Sequence, residues 1–132
     1  MRSDWRARLG AYLATEARRP FEYGTSDCAL FAAGALNAMT GSDPSANYRG
    51  RYTTLRGGLR ILRKDGFRDH VERAAALLTD VPPQRARAGD IAVVKTADGP
   101  SLGVVQGEWI VVRTTTGLGF VPIDQATRVF RS

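Results

Sequence analysis

Tyr23-Gly24-Thr25-Ser26-Asp27-Cys28-Ala29-Leu30-Phe31 is the stretch from which the fold reads. Thr25, Ser26 and Asp27 have side-chain oxygens suited to accept from the free N–H groups that open a helix. From Ala29 to Thr40 the chain is rich in Ala and Leu, and Gly41 is a natural C-terminal cap. The segment therefore predicts a buried helix with Cys28 in its first turn. Gly34, in its middle, leaves room for another backbone to approach closely.

Upstream, Trp5, Leu9, Tyr12 and Leu13 recur at spacings of three and four between Asp4 and Arg18, the pattern of an amphipathic helix that Pro20 stops. Downstream, Asp43-Pro44 begins a turn segment running through Tyr48-Arg49-Gly50-Arg51-Tyr52. Thr53 or Thr54 can cap a helix from Leu55 to Asp65, with Leu55, Leu59 and Leu62 on one face and Gly66 at its end. Asp69 can cap another, whose Val71, Ala74, Ala75 and Leu78 face the core before Pro82-Pro83. The character then changes. Ile91–Lys95, Leu102–Gln106, Trp109–Arg113, Leu118–Pro122 and Thr127–Phe130 are short, β-branched-rich runs separated by Gly, Asp and Pro. Gly107-Glu108 fits a tight hairpin, so the runs predict an antiparallel meander, open or closed as a barrel. The expected architecture is α+β: one domain over residues 1–132, with N-terminal helices packed on a C-terminal antiparallel sheet or small barrel of about five strands.

Composition narrows the function classes. The chain has 132 residues, 43% of them hydrophobic, a size suited to one core. No apolar run approaches the ~20 residues of a membrane span. Met1 to Trp5 has no apolar leader region, so synthesis in a bacterial cytoplasm is the expectation. The formal charge of +6 is carried mostly by arginine, with Lys64 and Lys95 the two lysines. A single Cys and a single His exclude an internal disulfide and an ordinary structural zinc site, so no metal or cofactor is expected. Arg60, Arg63, Lys64 and Arg68 read as a solvated face. Without base-stacking aromatics between cations or a groove-reading helix, nucleic acid is not the favoured partner. Gly57-Gly58 lacks the residues of a phosphate loop.

Cys28 carries the chemistry. In the first turn of a helix a thiolate gains from the helix dipole and free amides, although an isolated cysteine is often just a small buried hydrophobe. The surrounding residues resemble the NlpC-type branch of the papain-like cysteine peptidases. Tyr23 to Cys28 is similar to the segment that ends in Asp-Cys at the start of that family's central helix. Gly89-Asp90-Ile91-Ala92-Val93-Val94 resembles its Gly-Asp-Leu-Val strand entry, and Ser101-Leu102-Gly103-Val104-Val105 its His-Val-Gly-Ile strand. Asp27-Cys28, Thr40-Gly41-Ser42-Asp43-Pro44 and Tyr48-Arg49-Gly50-Arg51-Tyr52 resemble a small phage and prophage subfamily of NlpC-like proteins, found among tail-tip and hub genes.

The resemblance implies a nucleophile at Cys28, but it puts Ser101 at the family's histidine position and Val111 near its third, orienting position. Serine is no general base at neutrality and valine orients nothing. His70 is the alternative base; it lies ahead of the sheet, at the start of a helix expected on the surface. Asp27, adjacent to the cysteine, is a further alternative and a poor base at an ordinary carboxylate pKa. Tyr48, Arg49, Arg51 and Tyr52 could stack on and bond a partner, or pack on the central helix and pair with acids. Two expectations follow. One is a degenerate peptidase fold kept as a virion tail component, binding hub, tail-tip or tape-measure proteins. The other is an active peptidase or amidase that opens peptidoglycan during entry.

Overall fold

A computed structural model describes residues 1–132. Four helices come first: α1 (Trp5–Ala17), α2 (Cys28–Thr40), α3 (Leu55–Lys64) and α4 (His70–Leu77). Six strands follow: β1 (Thr79–Val81), β2 (Ile91–Thr96), β3 (Gly99–Gln106), β4 (Trp109–Thr114), β5 (Gly117–Pro122) and β6 (Arg128–Arg131). The α+β expectation holds, and each of the five expected strands is present.

The strand order is β1-β6-β2-β3-β4-β5, antiparallel throughout. This corrects the expected meander. Strands β2 to β5 do follow one another, and Gly107-Glu108 turns β3 into β4 where Gln106 faces Trp109. The last strand, however, returns to lie between β1 and β2. Strand β1 is too short to alternate legibly and sits just before a Pro-Pro pair, so nothing in its composition announces it. Its Asp80 pairs with Arg128 across the ladder at 3.0 Å.

Alternation along the strands divides two apolar cores. Ile91, Val93, Leu102, Val104, Val111 and Phe130 face the helices and close on Leu9, Phe31, Ala32, Ala35, Leu36 and Met39. Ala92, Val94, Val105, Ile110, Val112 and Val129 point the other way, into a smaller core covered by Val81, Ala86, Val121, Ile123 and Ala126. The strands thus form an open sheet buried on both faces, with β1 and β5 at its ends, and not a closed barrel. Helix α2 is the central element, and eight of its residues are buried. The close approach at Gly34 comes from a side chain, not a backbone: the Tyr12 ring occupies the space of a missing Cβ, and its hydroxyl donates to the Phe31 carbonyl at 2.8 Å.

A third cluster, Leu30, Tyr48 and Leu62 with Tyr52, Leu59 and Phe67 around it, joins α2 to α3. It fixes one wall of the groove described next.

Candidate functional site

Cys28 is the first residue of α2, as its capping sequence requires. Asp27 is the N-cap, its backbone extended, and its buried Oδ1 accepts from the Leu30 N–H at 2.9 Å. The second oxygen, Oδ2, accepts from the Gly24 N–H at 3.0 Å and from the Tyr52 hydroxyl. Gly24 is obligatory here. Its φ is +85°, and a Cβ would overlap the Tyr52 carbonyl oxygen. The Gly50 N–H donates in turn to the Gly24 carbonyl at 2.8 Å. The tyrosine and glycine of the Tyr48–Tyr52 segment therefore clamp the loop that presents Cys28. All three acceptor contacts of Asp27 hold the loop and the start of α2 in place.

The thiol is partly buried. Burial pushes its pKa up and the neighbouring Asp27 charge pushes it further, while the Ser101 hydroxyl and first-turn amides pull the other way without winning. A helix N-terminus favours a thiolate only where desolvation and like charge do not exceed it. Here they do, and the Cys28 thiol is held above its ordinary value by burial and the Asp27 charge.

Ser101 is on β3, opposite Val94, is buried, and has its hydroxyl close to the Cys28 thiol. Val111 lies on β4 with its side chain in the main core, 3% exposed.

His70 departs most from expectation. It opens α4, as foreseen, but the helix packs against β1 and β3 and carries the imidazole inward, not to the surface. The ring lies against the Pro100 carbonyl, one residue from Ser101, and its Nε2 is buried without a hydrogen-bond partner. Burial lowers its pKa, and the charges of Asp69 and Asp27 and the Pro100 carbonyl only partly offset this. Since the folded imidazole binds its proton less readily than an ordinary one at 6.5, the unfolded chain protonates first as pH falls. Stability is therefore expected to be highest above about pH 6.5 and to decline below it until the folded imidazole also titrates. Urea unfolding between pH 8 and 5 checks this, and His70→Gln should remove that part of the slope.

Cys28, Asp27 and His70 line one groove of about 110 Å³, with Tyr23, Arg73 and a largely apolar wall from α2, α3 and α4. Ser101 stands beside it and Val111 does not reach it. Of the residues expected to meet a partner, Tyr48 is buried with its hydroxyl on Asp65, Arg49 pairs with Asp43 at 2.8 Å, and Tyr52 holds Asp27. Arg51 is exposed and bonds the Asn47 carbonyl at 3.1 Å. Arg73 is not singled out by the sequence. It bonds Ser45 Oγ and the Pro44 carbonyl and stacks over the Tyr48 ring, 4.5 Å from its centroid. Its one signal is a lone cation within the helix that carries Val71, Ala74 and Ala75. No group of three or more His, Cys, Asp or Glu side chains is arranged to hold a metal, and no helix is long and apolar enough to cross a membrane.

Comparison with known proteins agrees with this architecture. The family DUF6950, described as a domain of unknown function, matches residues 1–132. No curated protein sequence matches the chain. Among solved structures, the NlpC/p60 domain of the peptidoglycan hydrolase SagA superposes with a TM-score of 0.58 at 14% identity, covering 96% of this chain and 97% of that one. At that identity the likeness is one of fold, and it is the NlpC-type fold that the motifs around Cys28 imply.

Proposed function

Because the chain belongs to the DUF6950 family and has an NlpC/p60-type fold, we propose that it is a peptidase-like domain whose cleft now binds and no longer cuts, serving as a tail-tip or hub component of a phage or prophage virion. The observation that carries the reading is the state of the nucleophile position. Cys28 is held beside a serine hydroxyl and not an imidazole on the strand, burial pushes its thiol up, and the residue near the orienting position, Val111, is core. A cysteine hydrolase needs a base that can take the thiol proton and return it to the leaving group. Neither the serine nor the triply bonded Asp27 carboxylate can supply that exchange.

The tail assignment rests on the sequence resemblance of Asp27-Cys28, Thr40–Pro44 and Tyr48–Tyr52 to phage and prophage NlpC-like proteins. The protein would be made in the bacterial cytoplasm and assembled with hub or tape-measure proteins into the virion tail. The structural burden of Asp27 and Tyr52 supports the reading, because it explains the Asp-Cys and Tyr-Arg-Gly-Arg-Tyr signatures without a reaction.

One observation favours a second reading, an active peptidase or amidase acting on peptidoglycan peptides: the unpartnered Nε2 of His70 in the groove that holds Cys28. A base delivered from α4 would stand in for the missing strand histidine. Iodoacetamide labelling of Cys28 against pH, together with hydrolysis of muropeptides, separates the two. We expect labelling with an apparent pKa at or above that of a free thiol, and no turnover. Turnover that is abolished by both Cys28→Ala and His70→Ala would overturn the binding reading and identify the base.

A further inference from the structure

Helix α3 carries two parallel stripes. Leu55, Leu59 and Leu62 line the groove, and Arg56, Arg60 and Arg63 follow them by one residue each, about 100° around the helix, with Lys64 extending the row. All four cations are exposed, and none has a carboxylate within ion-pair distance. The nearby acids are otherwise engaged: Asp65 accepts from Tyr48, Asp69 caps α4, and Glu72 pairs with Arg68. At the groove's mouth Leu55 is 48% exposed and Leu77, on α4, 54%. Open leucines on two adjoining helices, bordered on one side by an unneutralised row of cations, differ from an ordinary solvated charged face.

The geometry points to an acidic, leucine-bearing segment of a partner protein as the occupant of this groove: apolar side chains between Leu55 and Leu77, carboxylates along Arg56, Arg60 and Arg63. Charge complementarity selects the occupant. The whole chain is cationic at +6, so a second copy of itself would be repelled, while an acidic segment would be steered in and held in one orientation. The inference rests on the binding reading above and names the chemistry of its partner.

The test is selection of ribosome-displayed random 12-residue peptides on the intact protein, with the enriched sequences resynthesised and measured by fluorescence anisotropy. Enrichment of Asp and Glu together with Leu or Phe is expected. Binding should weaken about tenfold between low and high salt, and about tenfold or more in Arg60→Glu/Arg63→Glu. Leu55→Ser/Leu77→Ser should lose a similar factor. All four positions are solvent-facing or at the groove mouth, and thermal melts confirm that the variants fold. Failure to enrich any peptide, enrichment indifferent to charge, or affinity unchanged in the charge reversal would each overturn the inference. So would single-stranded DNA binding through the same arginines with no need of Leu55 and Leu77, which would mark a polyanion surface. Muropeptide turnover through Cys28 would sink the binding reading while leaving the peptide result to stand or fall by itself.

Discussion

Asp27→Ala is expected to destabilise the protein by about 3 kcal/mol, lowering the melting temperature by roughly 10 °C. The side chain is 2% exposed and accepts three hydrogen bonds, from the Gly24 and Leu30 amides and the Tyr52 hydroxyl. Loss of an N-cap alone costs about 1 kcal/mol. Each buried donor left without an acceptor adds about 1 to 3 kcal/mol, with the sum reduced because the three share one carboxylate. Tyr52→Phe should cost about 1 kcal/mol, since the cap and the Gly24 contact survive. Asp27→Asn should fall between them: its carbonyl oxygen can keep the Leu30 bond, but its amide meets the Gly24 N–H, donor against donor. Chemical denaturation of the three variants decides the matter. A site built for catalysis is commonly strained, and removing its acid then stabilises the fold. An Asp27→Ala protein as stable as wild type, or more so, would therefore reject the structural role assigned to Asp27 and revive a chemical one.

That role marks the limit of what was legible in the sequence. Asp27 reads as a capping residue because Thr-Ser-Asp before an apolar run has a local physical meaning, and Gly41 reads as a helix end for the same reason; its φ of +86° bears this out. Strands β2 to β5 were legible because their turns are short and their side chains alternate or run apolar. What local pattern cannot carry is a contact whose two ends lie far apart. Tyr52 meets Asp27 across 25 residues, and nothing in Tyr-Arg-Gly-Arg-Tyr distinguishes a clamp from a binding motif. The path of β6 back between β2 and β1 rests on pairings some 37 and 50 positions away along the chain, one of them to a three-residue strand with no periodicity. His70 illustrates the same limit in the site itself. A histidine after a capping aspartate resembles a surface residue until tertiary packing turns α4 so that its first turn faces β3.

Arg113→Met should cost about 2 kcal/mol, from a residue that neither the apolar pattern nor the site motifs mark. Arg113 lies on β4 and is 4% exposed. Its Nη1 donates to the Glu16 carbonyl at 2.7 Å, which also accepts from the Arg19 N–H at 3.1 Å, and its Nη2 donates to the Arg19 carbonyl just past the helix, so one guanidinium ties down the end of α1 and the residue that follows it. It thereby joins the first helix to a strand some 97 positions away along the chain. Methionine keeps the bulk and removes the donors: the Glu16 carbonyl keeps only the Arg19 N–H and the part-buried Arg19 carbonyl loses its Arg113 donor, losses of about 1 to 3 kcal/mol together. Against this, the guanidinium is buried with an unpaired Nε, and its removal relieves that desolvation in part. The balance is set by the number of bonds lost: two charge-assisted donors against one orphaned N–H. Arg113→Lys should recover little, because a single ammonium cannot span both carbonyls in the fixed geometry of the fork. Hydrogen exchange gives the sharper reading. The amides of the last turn of α1 should lose protection in Arg113→Met before those of α2 do, since only α1 is held at its end by this side chain. Uniform loss across both helices would mean instead that Arg113 contributes to global packing and not to the anchoring of α1.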